Sequence, residues 1–218
     1  MEKIELVIFD MDGLIFDTEK LSYLSWLEAG KKLNINFDLN IFYRMLGTNH
    51  ESCRNTLIAE YGETIDIDEY IKEKRRTNLE MLKNGAEKKE GLDDLLLYLS
   101  NKNIKKAVAT SSNREVALEL LKKANVLQYF DYVLCGDEVK KSKPNPEVFL
   151  NVAKKLEIDP RNCLVLEDSE AGTIAASRGK MRVIIIPDLK EPEKEIEVLA
   201  YKKVGNLKEV IDVIENLQ

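Results

Sequence analysis

Histidine is nearly missing from this 218-residue chain: His50 is the only one. Cysteine is scarce as well, with Cys53, Cys135 and Cys163 scattered and no CxxC spacing. Two of the three fall in apparent strands, which reads as reduced, buried thiols of a cytoplasmic protein. A catalytic cysteine needs a histidine, and with His50 alone a Cys–His pair is disfavoured. No apolar run approaches the ~20 residues of a membrane span, and the first residues lack the basic, apolar and small-residue sections of a signal peptide. Membrane attachment and export are therefore not expected. Basic residues are outnumbered, 33 Lys and Arg against 39 Asp and Glu, a net charge of −6 that argues against nucleic acid as the main partner. Repeats and low-complexity tracts are absent too. What remains is 44% hydrophobic and 33% charged, the make-up of an ordinary globular chain long enough for one large or two small domains.

One stretch stands apart, Val7 to Asp17. Ile4 to Phe9 is a short, mostly apolar run, long enough for a buried strand and too short for a stable helix. It stops on Asp10, a second carboxylate follows at Asp12, and Gly13 permits a tight exit. Such a strand places its acidic end at the carboxyl edge of a sheet, where open α/β proteins bind ligands. Two carboxylates this close favour a divalent cation, because unneutralised they raise each other's pKa. Oxygen ligands suit a hard ion such as Mg²⁺. An EF-hand loop counted from Asp10 would need Gly sixth and Glu twelfth. Here Gly13 is fourth and Leu21 twelfth, so that loop does not fit. A plain strand-to-turn junction with Asp-Gly as turn residues is the alternative on this stretch alone.

From Thr18 to about Asn84 the pattern becomes helical. Tyr23, Leu24, Leu27 and Leu33 lie near helical spacing, and so do Phe42, Tyr43 and Leu46 before Gly47. Cys53, Leu57 and Ile58 mark a helix ending at Gly62, and Tyr70, Ile71, Leu79 and Leu82 another ending near Gly85. From Gly91 helices and strands alternate. Leu92–Ser100, Glu115–Ala124, Pro146–Leu156, Gly172–Ser177 and Leu207–Leu217 read as helices. Lys105–Thr110, Tyr132–Cys135, Cys163–Leu166 and Arg182–Ile186 read as strands, the last halted by Pro187. The charged stretch Lys190–Glu197 reads as solvated surface. The expected fold is α/β, a doubly wound parallel sheet with the first strand central, formed by residues 1–16 and 88–218. An inserted α-helical cap is expected over 17–87.

Each strand end carries chemistry: Asp10 and Asp12 after the first, Thr110-Ser111-Ser112 after the second, Glu167-Asp168 after the fourth. Lys143 follows the third, in Lys-Pro-Asn-Pro. A parallel sheet gathers these ends on one edge. Carboxylates, a hydroxyl with flanking N–H groups and one ammonium suit a phosphoryl group, with an aspartate as a feasible nucleophile.

These segments resemble the haloacid dehalogenase superfamily of phosphohydrolases, close to its β-phosphoglucomutase-like group, which carries a helical cap after the first motif. Asp10–Thr18 is similar to the family's first motif, Val108–Ser112 to the second, Ser142–Phe149 to the third and Val165–Gly172 to the fourth. The four occur in the family's order along the whole chain. The resemblance implies that Asp10 is a nucleophile that becomes phosphorylated. It also implies that Asp12 is general acid toward the leaving oxygen and then general base toward water. Gly13, Thr110 and the amide of Ser111 would contact the phosphoryl group, and Lys143 would bridge nucleophile and phosphate. Mg²⁺ would be held by Asp10, the backbone carbonyl of Asp12 and Asp168, with Glu167 nearby or binding through water. On residue type alone, Thr110 has the alternative of a helix N-cap and Lys143 that of a solvated loop charge, which the other three motifs set aside.

Departures from the pattern bear on substrate. Where the mutase has a cap-side histidine shortly after the first motif, this chain has Ser22. That favours hydrolysis, with mutase activity as the alternative. Lys74 or Arg75, in the basic run Lys72–Arg76, is a candidate contact for an anionic group, the rest of that run being a solvated helix face. His50 is placed either on a loop facing the site or on the surface. A dehalogenase would not need Asp12 or the metal, a phosphonatase would use a Schiff-base lysine for which Lys20 is the nearest candidate, and a phosphorylated receiver module would lack the inserted helices. The expectation is a cytoplasmic, monomeric, Mg²⁺-dependent phosphatase of small phosphorylated metabolites, sugar phosphates foremost, with no nucleic-acid or membrane partner.

Overall fold

The computed structural model of the chain describes residues 3–46 and 50–217. The chain forms two compact units, residues 1–17 with 87–218 and residues 18–86. In chain order the elements begin with β1 (Leu6–Phe9) and four helices, α1 (Thr18–Leu33), α2 (Leu39–Met45), α3 (His50–Tyr61) and α4 (Ile67–Leu82). Then come α5 (Leu92–Asn101), β2 (Lys105–Ala109), α6 (Arg114–Lys123), β3 (Tyr132–Leu134) and α7 (Glu147–Lys155). The chain closes with β4 (Cys163–Glu167), α8 (Glu170–Arg178), β5 (Arg182–Ile185), α9 (Lys194–Glu197), β6 (Lys202–Lys203) and α10 (Glu209–Glu215). Among the described residues no helix is long and apolar enough to cross a membrane.

The sheet is wholly parallel, in the order β3-β2-β1-β4-β5-β6. Parallel strands joined by helices are covered on both faces, which is why β1 is apolar without alternation and all four of its residues are buried. Each fully buried Leu, Val, Ile or Phe side chain here contributes about 1.5–3 kcal/mol. Leu6 and Ile8 pack with Ala107, Val165 and Val183 against Val148, Phe149 and Val152 of α7 and Ala175 and Ala176 of α8. On the other parity, Phe9 meets Phe130 edge-on at 5.6 Å. Strand order reverses at β1, with β2 on one side and β4 on the other, which opens a crevice beyond its carboxyl end.

Two elements had no sequence signal. Strand β6 is two exposed lysines paired to Ile184 and Ile185, so it has no apolar pattern to read. Helix α9, four residues with none buried, lies within the stretch read as solvated surface.

The helical unit has its own core. Trp26 stacks on Phe37 at 5.4 Å and meets Tyr70 edge-on at 5.0 Å, and the Tyr70 hydroxyl donates to the Trp26 carbonyl at 2.9 Å. Ile41, Phe42, Leu57 and Ile67 belong to the same cluster. Asp38 caps α2 by accepting from the amides of Asn40 and Ile41, and Asp66 caps α4 by accepting from Glu69.

Candidate active site

The pairing register builds the site. Phe9 pairs with Leu166 on one side and Val108 on the other, so Asp10, Glu167 and Ala109 fall in the next row. The Asp10 amide continues the ladder by donating to the Leu166 carbonyl at 3.0 Å, and the Thr110 amide donates to Leu134 at 3.1 Å. Past Asp10 the chain turns sharply. The amides of Ile15 and Phe16 return to the Met11 carbonyl, and the Gly13 amide donates to Phe16 at 2.9 Å. Gly13 has a φ of +82°, and a Cβ there would lie 2.2 Å from Asp168 Oδ2. A glycine is required on both counts, and the space it leaves is where the Asp168 carboxylate sits.

Lys143 is enclosed, its side chain 7% exposed. Its ammonium donates to Asp10 Oδ1, to Glu167 Oε1 at 2.6 Å and to the Ala109 carbonyl at 3.2 Å. It also sits 5.0 Å from the centre of the Phe149 ring. Of the two sequence alternatives for Lys143, the structure therefore has the buried one. Thr110 is not a helix cap either: Asn113 caps α6, accepting from the Val116 amide at 3.1 Å. The Thr110 hydroxyl instead accepts from the Ser112 amide at 3.0 Å and donates to Asp12 Oδ2 at 3.2 Å. The Ser112 hydroxyl reaches the same oxygen at 2.7 Å, a contact that sequence reasoning passed over in favour of Ser111. Ser111 is exposed, with its carbonyl packed against Gly136, where a Cβ would lie 2.2 Å away.

Glu167 closes β4 fully buried, and both its oxygens are engaged. Oε1 receives Lys143, and Oε2 accepts from the amide and hydroxyl of Ser169 at 3.0 and 2.8 Å. Ser169 also caps α8. A Cβ on Gly172 would lie 1.8 Å from Glu167 Oε1. Gly172→Ala is accordingly expected to force Glu167 off Lys143, lowering stability by about 1–3 kcal/mol along with turnover. Urea unfolding beside initial rates checks this.

Asp10, Lys143 and Glu167 are thus one hydrogen-bonded group and Asp12, Thr110 and Ser112 a second, with Asp168 against Gly13. Lys74 belongs to the helical unit. It donates to the Ser22 hydroxyl at 3.0 Å and lies 5.4 Å from the Trp26 ring centre, on a pocket of 770 Å³ that Arg54 and Arg75 also line. Burial depresses the Lys74 pKa. His50 opens α3, and its side chain lies outside the described residues.

Burial, partly offset by Lys143 and reinforced by Glu167 and Asp12, raises the Asp10 pKa from 3.8 to about 7. Burial opposes the Lys143 ammonium, but Asp10 and Glu167 more than offset it, so Lys143 stays charged, with its pKa held above the ordinary range. The sign for stability follows. Between pH 3.8 and about 7 folded Asp10 keeps a proton that the unfolded chain has released, so rising pH favours unfolding. The Asp10 contribution is full below pH 3.8 and gone above about 7. In chelator, wild-type protein is expected to lose stability relative to Asp10→Asn across that window, as read by melting temperature against pH.

The donor set fits Mg²⁺. It is all oxygen, with more carboxylates than Lys143 alone neutralises, and Gly13 leaves room for the Asp168 oxygen. The Asp188 side chain is also close to Gly13, and its buried Oδ2 has no hydrogen-bond partner among the described residues. By contrast, Cys135, Asp137 and Glu138 form a partly exposed group whose Glu138 pairs with Arg114 at 2.9 Å.

Comparison with known proteins finds a family and relatives for the chain. The family model described as haloacid dehalogenase-like hydrolase matches residues 7–186. A phosphorylated carbohydrates phosphatase of Thermotoga maritima is 30% identical over 98% of this chain and 99% of its own length. A fructose-1-phosphate phosphatase of Escherichia coli is 29% identical over 82% of this chain and 94% of its own. The crystal structure of a beta-phosphoglucomutase from Clostridium difficile superposes with a TM-score of 0.72 at 25% identity, covering 98% of each chain. With a family match that runs from the first strand to the end of the fifth, this chain belongs to the haloacid dehalogenase-like hydrolases.

Proposed function

We propose that this hydrolase is a Mg²⁺-dependent phosphatase of small phosphorylated sugars and that it carries the phosphoryl group transiently on Asp10. The observation that carries the reading is the buried Asp10–Lys143–Glu167 group beside an Asp12 held by two hydroxyls. The names of the Thermotoga and Escherichia relatives support the substrate class.

Asp10 attacks phosphorus, the ester P–O bond breaks, and the leaving oxygen takes a proton from Asp12. Asp12 then accepts a proton from water as that water attacks the acyl phosphate; the bond to Asp10 breaks and phosphate leaves. Lys143 holds Asp10 in place and donates to a phosphoryl oxygen, while Glu167 fixes Lys143. The Thr110 hydroxyl exchanges Asp12 for a phosphoryl oxygen, joined by the Ser111 amide. When bound by Asp10, the Asp12 carbonyl and Asp168, Mg²⁺ would neutralise charge on the phosphoryl oxygens. The helical unit, inserted directly after the Asp10 loop, serves in this reading as a cap that excludes water, and Lys74 and Arg75 on its pocket select the rest of the substrate.

The test is phosphate release from a panel of sugar phosphates, nucleotides and phosphoglycolate, with Mg²⁺ and with chelator. Metal-dependent release, highest on sugar phosphates, is expected. Isomerisation of hexose phosphates without release would instead assign a mutase, the reading favoured by the likeness to beta-phosphoglucomutase.

A further inference from the structure

We infer that Asp188 is a positioning residue of the metal site, accepting a hydrogen bond from water bound to Mg²⁺ rather than binding the ion directly. The inference rests on the Mg²⁺-dependent reading above. Strand β5 lies beside β4, with Ile185 paired to Glu167 and the Ile186 amide donating to the Glu167 carbonyl at 2.8 Å. Asp188 therefore emerges on the same sheet edge as Asp168.

Its side chain is 7% exposed and its two oxygens differ. Oδ1 accepts from the Lys89 ammonium at 2.5 Å. Lys89 is itself tied to the Asp10 loop, its amide donating to the Ile15 carbonyl at 2.9 Å. Oδ2 is buried with no hydrogen-bond partner among the described residues. It lies 3.4 Å from the point where a Gly13 Cβ would stand, and Asp168 Oδ2 lies 2.2 Å from that same point. Two carboxylate oxygens thus face one small space, and the outer one lacks a donor. Leaving a buried acceptor unmatched is costly, so such an atom calls for a partner.

A Mg²⁺-bound water is the donor that fits. Mg²⁺ keeps several waters and takes only one or two carboxylates directly. Direct ligation fits less well: among the described residues, Asp10, Asp168 and Asp188 do not bring three oxygens within 4.8 Å of one another. A carboxylate in the outer shell orients the bound water, and losing such a group typically weakens metal binding.

Isothermal titration of the metal-free protein with MgCl₂ tests this, on wild type, Asp168→Asn and Asp188→Asn, with melting in chelator measured alongside. Asp188→Asn is expected to weaken Mg²⁺ binding by about 10–100-fold in protein that still melts cooperatively in chelator. The double variant Lys89→Met/Asp188→Leu removes both charges, leaves neither partner buried alone, and is expected to show the same loss. Wild-type affinity in both variants, with Asp168→Asn impaired, would overturn the inference and make Asp188–Lys89 a structural pair only. Failure of the wild type to bind Mg²⁺ would overturn both this inference and the reading beneath it.

Discussion

Asp10→Asn is expected to lower kcat/KM by roughly 10⁴-fold or more while leaving the protein folded. The amide has no charge with which to attack phosphorus, and neither Asp12 nor Glu167 is free to replace it. Asp12 is turned toward Thr110 and Ser112, and Glu167 is occupied by Lys143 and Ser169. The fold should persist because burial is the leading influence on Asp10 and works against its ionised form. A neutral isostere removes that opposition and keeps an oxygen for Lys143. Progress curves with and without the variant, beside melting in chelator, separate loss of chemistry from loss of structure.

Lys143→Met is the second large effect, and it should strike stability and turnover together. Asp10 and Glu167 would remain as buried carboxylates with no ammonium between them. Removing one partner of such a buried group costs about 3–5 kcal/mol, to be read from urea unfolding near neutral pH. Turnover should fall by about 10²–10³-fold, because a donor to the developing phosphoryl charge is lost. Lowering the pH should recover part of the stability, since protonating Asp10, whose pKa is already raised to about 7, relieves the unpaired charge. It should not recover the activity.

The fold was legible where burial on both sheet faces writes an unbroken apolar run. Strands β1 and β4 show one from their first residue, β2 and β5 after their opening basic residues, and the runs are ended by Asp10, Glu167, Thr110 and Pro187. A parallel sheet then assembles those ends without further information. Less legible was which oxygen does what. Adjacent residues at a strand end point to opposite faces, so Glu167 and Asp168 look alike in sequence. In the structure Glu167 turns to Lys143 and Ser169, while Asp168 turns to Gly13. Asp188 escaped notice because Pro187 reads as a stop and nothing local announces Lys89, 99 residues away. The Lys74–Ser22 contact spans 52 residues, joining two positions singled out separately, and only the packing of the helical unit brings them together. Pairings of this kind depend on side-chain geometry between distant elements, which composition and spacing do not encode.

The central claim is covalent, and trapping the covalent species tests it most directly. Wild-type protein turning over a sugar phosphate with Mg²⁺ is quenched rapidly in acid and its peptides are mapped by mass. A single phosphoryl group on Asp10, labile to hydroxylamine and missing from Asp10→Asn, is the predicted result. A phosphoryl group on another residue, or phosphate release that continues in Asp10→Asn, would contradict it.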